Sequence, residues 1–193
     1  MPSPRRAAAL AGHQRDETAA RRHLGDGDPA VRATALGALA RMDRLTDDDV
    51  TAALADPMAV VRRRGAELAA TRRAVAIDRA LADDDATVVE AAAWAAGERG
   101  DPAAVPLLCG VAGGHPDPLC REAAVAALGA IGDRAGLAAI LAATSDKPAV
   151  RRRAVLALAP FDGPEGDAAR ERALTDADRQ VRPAAEDLLA PPP

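Results

Sequence analysis

Aromatic side chains are almost missing from this chain. Among 193 residues there is one Trp, one Phe and no Tyr, although 49% of the residues are apolar. A core must therefore be built from Ala, Leu, Val and Ile, whose small side chains repay chain entropy only when elements approach closely. Base-stacking chemistry, which needs aromatic platforms, has almost nothing to work with. Two cysteines, Cys109 and Cys120, exclude a disulfide framework and lack the spacing of a zinc or redox motif, which fits a reducing compartment. No run approaches the roughly 20 apolar residues needed to cross a bilayer. The apolar run near the N-terminus is too short for a signal h-region. Together these features predict a cytoplasmic protein with no membrane segment. With 25 basic and 29 acidic residues the net charge is −4, which argues against a nucleic-acid partner.

What the chain does have is repetition. Helix starts align on Val31, Val61, Val88, Cys120, Val150 and Val181, at intervals of 27 to 32 residues. Arg follows five of these anchors (Arg32, Arg62, Arg121, Arg151, Arg182), and Val89 stands in its place in the third unit. Ala35, Gly65, Ala92, Ala124, Ala154 and Ala185 lie four residues on, and apolar residues lie eight on, so one stripe of each helix is buried. An acidic residue precedes every anchor: Asp28, Asp56, Asp83, Asp117, Asp146 and Asp176. Asp suits an N-cap, where it accepts a backbone N–H and complements the helix dipole. Gly100-Asp101 and Gly132-Asp133 end one helix and cap the next. Second helices are predicted near residues 47–55, 74–82, 102–112, 134–143 and 164–174. The array is read as one domain, 1–193, with a leading half-unit at 4–24 and units starting near 25, 55, 82, 114, 144 and 175. Pro191–Pro193 are expected to stop the last helix.

The segments DPAVRATALGALA, DATVVEAAAWAAGERGDPAAVPLL, DPLCREAAVAALGAIGD and DKPAVRRRAVLALA resemble HEAT repeats, more narrowly the short HEAT-like repeats named after phycobilin lyases. The resemblance implies an all-α fold, an α-solenoid of about six helix pairs, with first helices forming an outer ridge and second helices an inner face. It also implies a ladder of Asp/Arg contacts between repeats. Asp28, Arg32, Asp56, Arg62, Asp117, Arg121, Asp146, Arg151, Asp176 and Arg182 are assigned to it. Unpaired, partly buried arginines would be costly. Val89 interrupts the ladder and is expected to loosen the second-to-third junction.

Chemistry-bearing residues are sparse. His13, His23 and His115 are scattered, so the His-Glu iron motif of deoxyhypusine hydroxylase, another enzyme built from such repeats, is not present. Asp47–Asp49 and Asp83–Asp85 lack the glycine and bidentate Glu of a calcium loop, and capping duty accounts for them. Neither a metal nor any other cofactor is expected. Arg63, Arg64, Arg152 and Arg153 point away from the apolar stripe and are expected to be solvated. Trp94 is expected to wedge against a neighbouring helix. The leading functional expectation is a non-enzymatic, bacterial protein-binding scaffold, contacting another protein through Arg73, Asp78, Arg79, Arg134, Arg170 and Glu171. The alternatives are an enzyme or enzyme subunit of phycobilin-lyase or HEAT-like DNA-glycosylase type, and phosphate or nucleic-acid binding by the outer arginines.

Overall fold

The computed structural model describes residues 3–190, so the expected stop at Pro191–Pro193 lies outside the described residues. Thirteen α-helices and three short 3-10 turns occur among those residues, with no strand. The fold is all-α, as the periodicity predicts. No described helix is long and apolar enough to cross a membrane.

Packing divides the chain into two compact units, Met1–Ala95 and Ala96–Pro193. The first holds α1 (Pro4–Gln14), α2 (Glu17–Arg22), α3 (Pro29–Arg41), α4 (Asp47–Leu54), α5 (Ala59–Ala69) and α6 (Asp78–Leu81). The division falls inside α7 (Ala86–Arg99). The second unit holds α8 (Val105–Gly114), α9 (Pro118–Ile131), α10 (Leu137–Ala143), α11 (Pro148–Ala157), α12 (Pro164–Ala173) and α13 (Val181–Leu189). In the first unit α1, α3 and α5 lie side by side, with α2 and α4 against them. In the second, α9, α11 and α13 form the corresponding row, backed by α8, α10 and α12.

The anchors behave as the periodicity predicts. Val31, Val61, Val88, Cys120, Val150 and Val181 are all buried, joined by alanines that complete each stripe. Gly100 and Gly132 adopt φ of 56° and 69°, conformations that would strain other residues, and Asp101 and Asp133 then accept backbone N–H bonds that start the next turns. Two segments differ from expectation. The leading half-unit carries two helices, because Asp16 caps the polar segment at Ala19 and turns it into α2. The helix expected at 74–82 shortens to α6, because Val75 and Ile77 bury alternate side chains in a non-helical segment.

With so few large side chains, close backbone approach carries the packing. A Cβ on Gly129 would lie 2.7 Å from the Cα and Cβ of Ala157, so α9 and α11 meet almost backbone to backbone. Gly110, inside α8, faces open space. Gly129→Ala is therefore expected to cost about 1–3 kcal/mol in urea denaturation through overpacking. Gly110→Ala is expected to add up to about 1 kcal/mol through helix propensity. Equal effects from the two would contradict this packing.

Candidate functional site: the arginine ladder and the charges outside it

The arginine one residue past five of the six anchors sits in the first turn of its helix, where the dipole disfavours a cation. The structure resolves the conflict by giving the guanidinium two sets of acceptors. Nη1 of Arg32 donates to the Asp26 carbonyl at 2.9 Å, Arg62 to Asp56 at 3.0 Å and Arg121 to His115 at 2.8 Å. Arg151 and Arg182 donate to the carbonyls of Asp146 and Asp176 at 2.8 and 2.7 Å. These carbonyls belong to the turn that leads into the arginine's own helix. In all of these but Arg182, Nε and Nη2 reach forward instead, bidentate, to an aspartate of the following repeat. The rungs are Arg32–Asp56 and Arg62–Asp83 in the first unit, with contacts of 2.7–2.8 Å. In the second unit they are Arg121–Asp146 and Arg151–Asp176, at 2.7–2.9 Å. Forked guanidinium–carboxylate pairs of this kind are both strong and geometrically specific.

The aspartates preceding the anchors fall into two classes that the sequence reading merged. Asp56, Asp83, Asp146 and Asp176 accept the forward-reaching arginines. Asp28 and Asp117 cap their helices instead, accepting from the N–H groups of Ala30 and Leu119. The Asp/Arg ladder thus gains Asp83, and Asp28 and Asp117 serve it only as caps. Reach is forward, so Arg62 ties the second repeat to the third through Asp83. The expected loose step at that junction is a misplacement. Val89 is the missing donor of the third repeat, and the acceptor position of the fourth is occupied by His115 rather than Asp. His115 Nδ1 accepts the Asp117 N–H at 3.1 Å, a turn contact that Asp56 makes with Met58 and Asp176 with Asp178.

Side chains proposed as partner contacts separate by burial. Arg73, Asp78, Arg79, Arg134 and Glu171 are exposed. Arg170 is buried, and its guanidinium holds the carbonyls of Leu158 (2.9 Å) and Phe161 (3.3 Å) and the Asp167 carboxylate. It closes the turn between α11 and α12 and is withdrawn from the contact set. Of the arginine runs, Arg63 is exposed, but Arg64, Arg152 and Arg153 are half-buried, because a helix in the middle of a row has neighbours on both flanks. Arg64 pairs with Glu67 at 2.8 Å, and Arg153 with Glu122 at 3.3 Å. Trp94 lines a cleft of about 180 Å³ with Arg63, Glu67, Thr87, Glu90 and Ala91, yet remains 49% exposed, so it is a partial wedge. Sequence reading missed Arg21 and Arg72. Arg21 bridges to Asp49 and the Arg44 carbonyl, and Arg72 to Asp47 and the Leu45 carbonyl.

A sequence profile of HEAT repeats matches residues 73–159 and 114–190, more than half of the chain. The chain belongs to the HEAT-repeat family. Among solved structures, YibA of Escherichia coli is similar at a TM-score of 0.67 and 19% identity, covering 98% of this chain and 75% of that one. A designed armadillo repeat protein in complex with peptide (KR)4 is similar at 0.62 and 16% identity, covering 97% of each. Human deoxyhypusine hydroxylase in complex with glycerol is similar at 0.51 and 20% identity, covering 96% of this chain and 77% of that one. At such identities these likenesses show the fold alone. No curated protein sequence matches the chain.

Electrostatic perturbation in these HEAT repeats concentrates on the rungs. The arginine hydrogen bonds hold the carboxyls of Asp83, Asp146 and Asp176 below the ordinary carboxylate range and raise Arg62, Arg121 and Arg151 above theirs. Burial raises the Cys109 thiol, the opposite of what a nucleophile needs. Among the described residues no group of three His, Cys, Asp or Glu is placed to hold a metal ion. A carboxylate depressed in the folded state stabilises fully above its unfolded pKa near 4, and that stability is lost as pH falls through the lower folded value. Urea stability is therefore expected to be level from about pH 7 to 5 and to fall below about pH 4. Asp146→Asn should lower the plateau and flatten the acid limb. Parallel curves for the variant and the wild type would exclude the rung as a source of the acid sensitivity.

Proposed function

We propose that these HEAT repeats act as a non-enzymatic scaffold that binds another protein through the side on which the second helices lie. One observation carries the reading. The ionisable groups with perturbed pKa values, Cys109 aside, belong to turns, caps and ion pairs that tie helices together, whereas a set of charges beside the second helices does little such work. Arg73, Asp78 and Arg79 in the first unit are exposed and form no ion pair among the described residues. In the second unit Glu171 is also exposed, and Arg134 reaches only the Asp162 carbonyl, at 3.5 Å. Stacked repeats make long surfaces on which such side chains supply partner specificity. Catalytic sites instead gather perturbed acids and bases in a cleft. Two cysteines in a chain of this length, with no zinc or redox spacing, fit a reducing cytoplasm as the setting.

The test is affinity capture from the source cells with wild type and with two single charge reversals, Arg79→Glu and Arg134→Glu, one in each unit. Circular dichroism controls for folding. A stoichiometric partner recovered by the wild type and lost with either reversal is the expected result. Identical recoveries from all three would sink this surface.

A further inference from the structure

A second charged feature lies on the opposite row of helices, within the first unit. Arg5 of α1, Arg41 of α3 and Arg64 of α5 line one open cleft of about 300 Å³. No carboxylate lines it. Among the described residues Arg5 and Arg41 make no ion pair, and Arg64 engages Glu67 through Nη1 alone. The floor is one face of α3, formed by Ala30, Ala33, Thr34 and Gly37, and the apolar edge is Val60, which is 47% exposed. From Ala30 to Arg41 this face runs about 16 Å at 1.5 Å per residue.

Two guanidiniums are seated rather than loose. A Cβ on Gly37 would come 2.7 Å from Nη2 of Arg64, and one on Gly12 of α1 would come 2.7 Å from Nη2 of Arg41. Both glycines are in helix interiors, where glycine is unfavourable, and both are buried. Each notch lets an arginine of the next helix lie flat across its predecessor. Ion pairing does not account for the seat of Arg41. Arg41 lacks a counter-charge and Arg64 keeps Nη2 clear of Glu67, so each guanidinium has N–H donors left to receive an oxyanion.

We propose that this groove binds an extended acidic segment of a partner protein, with carboxylates on Arg5, Arg41 and Arg64 and an aliphatic side chain against Val60. The length suits about five extended residues at roughly 3.3 Å each. The apolar edge at Val60, which a phosphate backbone would leave unused, favours a peptide over a nucleic acid. This site shares no residue with the surface beside the second helices, so either can fail without the other.

Fluorescence anisotropy with a short labelled peptide of Glu and Leu tests it, beside the same peptide with Gln for Glu and a labelled single-stranded DNA oligonucleotide. The Glu peptide is expected to bind saturably and more weakly as salt rises, and the Gln peptide and DNA to bind less. Arg41→Glu should weaken the Glu peptide at least about tenfold. Gly37→Ala displaces only the far end of Arg64, so it should weaken binding without lowering the melting temperature. DNA binding more tightly than the peptide, no saturable peptide binding, or unchanged affinity in either variant would overturn the proposal.

Discussion

The structure depends on one side chain doing two jobs at a helix N-terminus. A repeat of about thirty residues cannot bury its apolar stripe alone and must lean on the next. In this chain the stripe is made of Val, Ala and Leu with almost no aromatic side chains, and such smooth aliphatic surfaces specify register poorly. Where an arginine follows the anchor and an aspartate faces it, the pair supplies the register. The arginine's Nη1 closes the turn of its own repeat, and its Nε and Nη2 close on the aspartate of the next. Because the guanidinium is planar, the two turns must stand at a fixed spacing for both sets of bonds to form. A lysine could satisfy one set and not both.

Small residues and arginine ladders are two sides of one solution. Without aromatic bulk, helices approach until glycine meets alanine backbone, as at Gly129 and Ala157. At that separation, long side chains cannot fit between neighbouring helices unless they lie flat. Arg41 and Arg64 lie flat across Gly12 and Gly37. Arg170 does the same work at a turn, tying the carbonyls of Leu158 and Phe161 from a buried position. Arginine in this chain therefore spans contacts between helices and turns for which aromatic side chains are not available.

The repeat, its anchors and its capping aspartates were legible because each obeys a rule local to one helix. Stripe periodicity places Val150 and Ala154 inside with no knowledge of a neighbour. What the sequence could not convey was which neighbour a side chain meets. Asp28 and Asp56 both precede an anchor, but they stand three and five residues before it. An aspartate four or five residues before its anchor, as Asp146 and Asp56 are, lies under the preceding arginine, whereas one at three caps its own helix. The paired substitutions Val89 and His115 were the available clue to that direction, since the donor and its expected acceptor vanish at the same step. Arg170 and Arg153 were misjudged for a related reason. A helical wheel measures distance from the main stripe, whereas burial in a row of helices arises from two flanks.

A double-mutant cycle on Arg121 and Asp146 tests the ladder most directly. Urea stabilities of Arg121→Ala, Asp146→Ala and the double variant give the coupling between the two side chains free of their other contacts. A forked, half-buried pair that sets repeat spacing should show a coupling of about 1.5–3 kcal/mol. A value within about 0.5 kcal/mol of zero, as isolated surface pairs often give, would mean that packing alone sets the register and that the rungs merely decorate it.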